Sequence, residues 1–429
     1  MMARLQAGAA RRDITPSVGI ELAGYTPRVR RTNRSQGIHD SLWARVLALE
    51  SCRSTALLIT LDLLGIERAT THQLRSEICR QLPLQPHAIA ICCTHNHSGP
   101  SLLCDHETHV EVDEGWVREA KTDIVDAAVE AFEGLRPAWV GFGRTAVQGV
   151  GANRRAVLDG GSLFHFSGLH GREPPPGRTV VQESIVDPEL AVLAVKDENG
   201  RLVALLTNYA CHAWIYNGDR ISSELPGACV EWLEEHLVSE NPDLVALFAP
   251  GTGSNITTVQ HQVSIPEEIE AKESWYAEER DRFGGILGRA AIRALQSIPT
   301  YTGNATVSSQ VRPVLAPVYD RVLGEILAEH GYLPPTDLIM ETEIQVIQVG
   351  EITVIGLPSE VYVEYGLEIK ERSIYNDIMV LSYCNDYFAD LITRQAVEEA
   401  KCPELAWTKV HPDVRGRMMD ELAAAGVLQ

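Results

Sequence analysis

The residues of this chain best suited to chemistry are polar side chains that follow apolar, strand-like segments. His95 and His97 come directly after the apolar run 87–93, and Ser98-Gly99-Pro100 then breaks the run. Side chains two residues apart on a strand point to the same face, so we expect the two imidazoles to converge on one point. By itself such a pair is typical either of a metal site or of ordinary polar residues at a strand end.

The same layout recurs at three other places in the sequence. His212 follows the apolar run 202–211, Glu360 follows 352–359 and Asp390 follows 379–389. Open sites in α/β proteins lie at the carboxyl ends of strands. Two histidines with one or two carboxylates, leaving one position for water, form the ligand set of a catalytic zinc site. The recurrence therefore predicts a zinc-dependent hydrolase.

Strands and helices must position these residues, and the hydrophobic pattern predicts both. We predict strands at 42–49, 55–64, 87–93, 189–195, 202–208, 243–248, 342–349, 352–355 and 378–383. We predict helices at 70–81, 114–132, 227–237, 283–295 and 361–372. The irregular stretches 103–111 and 159–182 are either functional lids or surface insertions. The fold class expected is α/β, one domain over 1–429 with mixed β-sheets flanked by helices.

Composition narrows the class of partner and the compartment. The formal net charge of −21 disfavours nucleic acid and anionic membrane surfaces as partners. No segment reaches the roughly 18 apolar residues of a membrane span. The nine cysteines include no C-x-x-C pair, and the first residues lack the apolar stretch of a secretory signal. We therefore expect reduced thiols, a cytoplasmic protein and a small-molecule substrate, with a homo-oligomer left open.

A series of short motifs, in this order along the chain, resembles the neutral/alkaline (non-lysosomal) ceramidases. The most specific is Thr-His-Asn-His-Ser-Gly-Pro at 94–100. The others lie at 7–16, 24–25, 37–45, 151–154, 186–189, 251–255, 357–360 and 385–387. The resemblance covers most of the chain and implies the ceramidase catalytic fold.

The resemblance also implies a role for each matching residue. The zinc ligands implied are His95, His212 and Glu360, whereas His97 contacts the substrate and moves protons. Arg154 is implied to meet a polar group of the substrate, and Ser254 to orient the water or the oxyanion. Zinc would polarise the scissile carbonyl and lower the pKa of its water to about 7.

The chain departs from the family pattern mainly where the substrate is bound. Asp390 stands where the family has a tyrosine ligand; the alternatives are Tyr387, which we also assign to substrate binding, and Tyr383. A second family tyrosine has no match near Cys402, and the loop 251–255 lacks the family's Asp and Pro. We also expect no room after the catalytic domain for the immunoglobulin-like domain of the ceramidases. These changes predict hydrolysis of an amide, or a related ester or lactone, in a small soluble substrate rather than ceramide.

Two other interpretations remain open at this point. One is a metal-dependent hydrolase or lyase for a sugar-like substrate, with Arg154, Arg155 and the loop residues His106, Glu107 and His109 lining its pocket. The other is a homologue that binds ligand without catalysis. An amidohydrolase barrel is disfavoured because no regular βα alternation follows residue 208, and a metallo-β-lactamase because no Asp-His follows the first histidine pair.

Overall fold

The computed structural model describes residues 4–24, 33–52, 54–103, 111–165, 174–259, 268–318, 339–399, 404 and 408–429. Its strands are β1 (Gln6–Asp13), β2 (Gly37–Ile38), β3 (Trp43–Ser51), β4 (Ser54–Leu61), β5 (Ile89–Cys93), β6 (Arg136–Ala146), β7 (Gly151–Asn153), β8 (Arg155–Leu158), β9 (Leu163–His165), β10 (Val180–Glu183), β11 (Glu189–Asp197), β12 (Leu202–Tyr209), β13 (Arg220–Ile221), β14 (Val245–Pro250), β15 (Ile256–Thr258), β16 (Val307–Pro317), β17 (Ile339–Val349), β18 (Ile352–Gly356), β19 (Glu360–Val361), β20 (Asp377–Leu381) and β21 (Asp390–Leu391). Its α-helices are α1 (Arg68–Gln81), α2 (Glu114–Glu133), α3 (Glu224–Leu237), α4 (Ile269–Gln296), α5 (Val363–Arg372), α6 (Arg394–Glu398) and α7 (Val414–Ala424).

The largest sheet has eight strands in the order β14-β12-β11-β6-β1-β3-β4-β5. Its two outer pairs, β4 with β5 and β12 with β14, are parallel, whereas the inner pairs are antiparallel. A parallel pair needs a crossover connection, which α1 supplies between β4 and β5 and α3 supplies between β12 and β14. His95 and His97 follow the carboxyl end of β5, and His212 follows the carboxyl end of β12, where the α3 crossover begins.

A second sheet of four strands, in the order β16-β17-β18-β20, packs face to face with the first. Apolar side chains such as Leu47, Leu193 and Leu206 of the large sheet meet Ile347 and Val354 of the small one. Strands buried on both faces are near-continuous apolar runs. This is why β5, β12 and β18 consist mostly of apolar residues.

Helices cover the outer faces of both sheets and give the molecule four layers. Helices α1 and α2 pack on the β3–β5 half of the large sheet, and α3 and α4 pack on its β12–β14 half. Helices α5 and α7 cover the small sheet. The predicted class, α/β with mixed sheets flanked by helices, is confirmed. The single-domain boundary 1–429 stays a prediction.

Three strands of the two largest sheets were not predicted from the sequence. Strand β1 is rich in Ala, Gly and Arg, residues with weak β propensity, yet it lies in the middle of the large sheet. Strand β6 contains Gly141 and Gly143; a Cβ at Gly143 would lie 2.0 Å from a backbone oxygen of α4. Strand β16 pairs along its length with β17. Tertiary contacts, rather than local preference, make these segments extended.

Several predicted boundaries move by a few residues, and one element is much longer than expected. The helix predicted at 283–295 begins at Ile269. Its first half was not predicted, because charged residues dominate that part of the sequence. The strand predicted at 87–93 begins with a 3-10 turn at Pro86–Ala88. The helix predicted at 361–372 begins at Val363, because residues 360–361 form the short strand β19.

The two long stretches predicted to be irregular are only partly described. Residues 104–110, including His106, Glu107 and His109, lie outside the described residues, as do 166–173. The described parts of 159–182 contribute strands to a three-stranded sheet of order β10-β8-β9, so this stretch is more regular than expected. Within the described part of the chain, every helix is too short or too polar to cross a membrane.

Candidate metal centre and active site

His95 lies just beyond the end of β5, on backbone that has already left the strand. Its φ is +61°, in the left-handed region that costs a residue with a side chain about 1–3 kcal/mol. The expected strand alternation is therefore wrong for this segment. Nδ1 of His95 lies 2.9 Å from the carbonyl oxygen of Leu64. Since a carbonyl only accepts, Nδ1 carries a proton and Nε2 is the ring nitrogen that faces the site.

The imidazoles of His95, His97 and His212 nevertheless converge. The three Nε2–Nε2 distances are 2.9 Å (His95 to His97), 3.0 Å (His97 to His212) and 3.1 Å (His95 to His212). His95 and His212 are buried, and His97 keeps partial exposure as a residue. Among the described residues, these three form the group whose potential ligand atoms all lie within 4.8 Å of one another. The structure thus brings together the histidines of two strand ends far apart in sequence.

The electrostatics of this cluster favour neutral imidazoles at His97 and His212. Burial lowers the pKa of His97 well below its ordinary value, and the neighbouring His95 ring adds to the effect. Burial likewise lowers the pKa of His212, with Arg154 acting in the same direction. A neutral imidazole is the form that ligates a metal.

Glu360 supplies a carboxylate at the edge of the histidine cluster. It begins β19, just after β18, and its Oε2 lies 3.3 Å from Nε2 of His95. The hydroxyl of Tyr387 donates to Oε1 at 2.5 Å. Burial alone would raise the pKa of Glu360, but the His95 ring and the tyrosine hydrogen bond outweigh it and hold the pKa below its usual value. Glu360 is therefore an ionised carboxylate beside three nitrogen atoms.

Asp390 and Ser254 form a hydrogen-bonded pair beside Glu360. Strands β19 and β21 pair in parallel, with Glu360 opposite Asp390. The Ser254 hydroxyl donates to Oδ1 of Asp390, and both residues are buried. Burial, together with Glu360 and Glu404, raises the pKa of Asp390 well above its ordinary value. Glu360 and Asp390 both lie outside the group of three histidines, so their roles as metal ligands stay predictions.

Arg154 is brought to the same region by the pairing of β7 with β15. Its backbone N–H donates to the carbonyl oxygen of Asn255 at 2.8 Å, which places it beside the loop of Ser254. Its guanidinium lies 5.7 Å from the ring centroid of Trp214, and Nη1 lies 3.5 Å from a carboxylate oxygen of Glu404. The predicted substrate-side residues are therefore neighbours, and their roles stay predictions.

Two tyrosines enclose His95 from the small sheet. The Tyr383 ring stacks on His95 with centroids 4.2 Å apart and an 11° angle between planes. The Tyr387 ring lies 6.0 Å away. The buried Tyr383 hydroxyl has no hydrogen-bond partner among the described residues. Both rings thus fix the plane of His95, and the site holds an unpaired polar atom.

Backbone strain is concentrated around these residues. Seven residues other than glycine have positive φ in the described part of the chain, and six of them border the site: His95, Glu224, Ser359, Tyr383, Asn385 and Ala389. Such conformations persist only where the surroundings over-determine them, and they cluster at functional sites.

Sequence reasoning missed two residues of the site. Trp214, whose ring lies 6.1 Å from that of His97 and close to parallel with it, carried no spacing signal. Glu224, the first residue of α3, has the position of an ordinary acidic residue in a first helical turn. Only the structure shows that Glu224 is fully buried against the histidine segments.

Comparisons with known proteins agree with the resemblance seen in the motifs. The family model for the neutral/alkaline non-lysosomal ceramidase N-terminal region matches residues 5–260. A neutral ceramidase of Pseudomonas aeruginosa is 24% identical over 260 residues, 58% of this chain and 36% of that protein. The match therefore spans about a third of the relative's length. The predicted family resemblance is confirmed.

Two solved structures share the fold over nearly the whole chain. The crystal structure of neutral ceramidase from Pseudomonas aeruginosa superposes with a TM-score of 0.75 at 19% identity, covering 99% of this chain and 74% of that one. A ceramidase structure described as complexed with C2 superposes with a TM-score of 0.73 at 18% identity, covering 96% and 73%. The predicted ceramidase-like fold is confirmed.

Proposed function

Because the chain belongs to the neutral/alkaline non-lysosomal ceramidase family, a family of hydrolases, we propose that it is a zinc-dependent hydrolase cleaving the amide, or a related ester or lactone, of a small soluble substrate. The observation that carries the proposal is the convergence of three imidazole Nε2 atoms within 2.9–3.1 Å of one another. An ionised carboxylate, Glu360, lies 3.3 Å from one of them.

The donor set fits a divalent cation. Nε2 is the atom through which His95 would ligate the ion, because its other nitrogen donates to the carbonyl oxygen of Leu64. Two nitrogens bound to one tetrahedral zinc at about 2.0–2.1 Å lie about 3.3 Å apart, close to the spacing observed. We assign His95, His212 and Glu360 as the ligands, with Asp390 as the predicted fourth. When bound, the metal supplies Lewis acidity that polarises a carbonyl and lowers the pKa of water to about 7.

The remaining side chains can bind the substrate and move protons. His97, the least buried of the three histidines, has its Nε2 within hydrogen-bond reach of the cluster and is suited to accept and return a proton. The hydroxyl of Ser254, oriented by Asp390, and the guanidinium of Arg154 are suited to hold the polar groups of the substrate. Tyr387 holds Glu360 in place and closes the site on the other side.

A small polar substrate is supported by the character of this substrate side. Arg154, Asp390 and Glu404 are all buried there, next to the reacting centre. A long alkyl chain packed against these polar groups could not form hydrogen bonds with them, whereas a polar substrate could. The cytoplasmic location stays a prediction.

The test combines metal analysis of the purified protein with a hydrolysis screen over N-acyl amides, lactones, esters and long-chain ceramide. We expect about one zinc per chain and activity on a short-chain substrate. His95→Ala should lose both, His97→Ala should keep the metal and lose turnover, and the exposed His72→Ala on α1 should change neither.

Each arm has an outcome that contradicts one part of the proposal. Full zinc content and activity in His95→Ala would exclude the metal site. Loss of zinc in His97→Ala, as complete as in His95→Ala, would make His97 a ligand and end the division of roles. Ceramide as the best substrate would overturn the substrate class alone.

A further inference from the structure

The two segments that carry the clustered histidines are joined by one buried carboxylate, that of Glu224. The residue opens α3, is fully buried and has a φ of +53°. Its Oε2 accepts the backbone N–H of Ile215 at 2.8 Å and of Tyr216 at 3.0 Å. Its Oε1 accepts the backbone N–H of His97 at 3.2 Å. One oxygen thus holds the segment after His212, and the other holds the segment after His95.

Ser98 completes the connection. Its hydroxyl lies 2.9 Å from Oε1 of Glu224 and 2.8 Å from the carbonyl oxygen of Tyr216. Its own carbonyl accepts the N–H of Ser222, whose hydroxyl in turn accepts the N–H of Glu224. The serine of the 94–100 motif therefore contacts the carboxylate rather than the histidine nitrogens.

We propose that Glu224 is a positioning residue of the metal centre, setting the separation of the His95–His97 and His212–Tyr216 segments so that their imidazoles meet. The inference rests on the proposed metal site. Its physical basis is that three backbone N–H groups and a hydroxyl all point at this carboxylate, so only a group that accepts at both ends satisfies them.

The conservative variant Glu224→Gln separates the two ends of the side chain. Its amide oxygen can accept from Ile215 and Tyr216, but its NH2 group then faces the N–H of His97, which it cannot accept. The contact with the first segment is lost while the volume stays the same. Since residues that hold metal ligands in place typically contribute 10–100-fold to metal affinity, we expect a zinc affinity about 10–100-fold weaker than wild type.

The matched control is Glu273→Gln. Glu273 is also buried and accepts from a hydroxyl (Tyr216, at 2.5 Å) and a backbone N–H (Asp219, at 2.7 Å), so it contacts only the far end of the second histidine segment and does not join it to the first. The two variants should therefore lose comparable stability, whereas only Glu224→Gln should lose zinc affinity. A purely structural role would weaken zinc binding in both variants in proportion to the stability lost.

The experiment is a competition for Zn2+ between the full chain and a chromophoric chelator, with urea unfolding of the zinc-free proteins alongside. Ser98→Ala, which removes one contact and keeps the carboxylate, should bind zinc with an affinity between wild type and Glu224→Gln. It also provides the answer if Glu224→Gln does not fold.

The outcomes distinguish this inference from the proposed function. If wild type binds zinc and Glu224→Gln binds it with the same affinity, the inference is overturned and the metal site stands. The same holds if Glu273→Gln loses as much affinity as Glu224→Gln, or if Ser98→Ala is unchanged when Glu224→Gln is unfolded. Wild type that binds no zinc overturns both.

Discussion

The carboxyl group of Asp386 gives the most quantitative prediction for this protein, because its environment opposes ionisation. It is buried beneath the tyrosine that holds Glu360, and it accepts the N–H of Tyr387 at 2.9 Å and of Arg68 at 3.0 Å. The hydroxyl of Thr342 donates to its other oxygen at 2.7 Å. Burial dominates these hydrogen bonds and raises the pKa of Asp386 from 3.8 to about 6.

The sign of the pH effect follows from that direction. Between pH 4 and 6 the folded protein keeps a proton on Asp386 that the unfolded chain has released, so the free energy of unfolding falls as pH rises. The contribution of this group is fully present below about pH 4 and lost above about pH 6. A difference of about two pKa units corresponds to about 3 kcal/mol.

Asp386→Asn removes the titration and keeps the shape. The amide oxygen can accept the two backbone N–H groups, and the NH2 group can donate to the Thr342 hydroxyl. We therefore expect the variant to gain stability relative to wild type as pH rises from 4 to 7, by about 3 kcal/mol in total. The other titrating groups are common to both proteins and cancel in the difference.

The measurement is urea unfolding of both proteins at several pH values, followed by tryptophan fluorescence. Thr342→Val is a useful second variant, because it removes a donor that lowers the pKa of Asp386 and should move the pH window upward. A stability difference between Asp386→Asn and wild type that stays constant from pH 4 to pH 7 would refute the reasoning, since burial would then not be setting this pKa.

Three further predictions concern the site and the core. Tyr387→Phe removes the hydrogen bond to Glu360, so zinc affinity measured by chelator competition should be about tenfold weaker. Unchanged affinity would mean that the hydroxyl does not orient the carboxylate. Gly24 has a φ of +91°, and Gly24→Ala would place a Cβ 2.6 Å from Nδ1 of His97. We expect kcat to fall while zinc content, measured by metal analysis, stays the same; normal turnover would contradict this. Asp62→Ala leaves the buried Arg45 without the carboxylate that lies 2.7 Å from it, so the free energy of unfolding in urea should fall by about 3–5 kcal/mol. A loss below about 1 kcal/mol would show that water reaches Arg45.

Much of the site could be predicted because it depends on a topological regularity. His95, His212 and Glu360 each follow a strand that is buried on both faces, and such strands are recognisable as continuous apolar runs. Each of these strands belongs to a parallel pair with a helical crossover, and each site residue follows the carboxyl end of its strand. The sequence could therefore identify the positions of the site before the fold was known.

The arrangement of the same residues could not be predicted, because it depends on contacts between distant segments. Strand alternation was the wrong reason for the convergence of the two motif histidines, since His95 adopts a left-handed conformation outside the strand. The pairing of Ser254 with Asp390 joins residues 136 positions apart. Strand β1, too weak in β propensity to be predicted, is extended because β3 and β6 pair with it on either side.

The sequence by itself thus determined which side chains stand at the ends of buried strands, and with them the family and the kind of chemistry. This follows because hydrophobic periodicity and short motifs are local properties of the chain. Only the tertiary structure decided which nitrogen of each histidine faces the centre, that Glu224 joins the two histidine segments, and that Asp390 is paired with Ser254. Those features come from hydrogen bonds and burial between segments far apart in sequence, which no local pattern records.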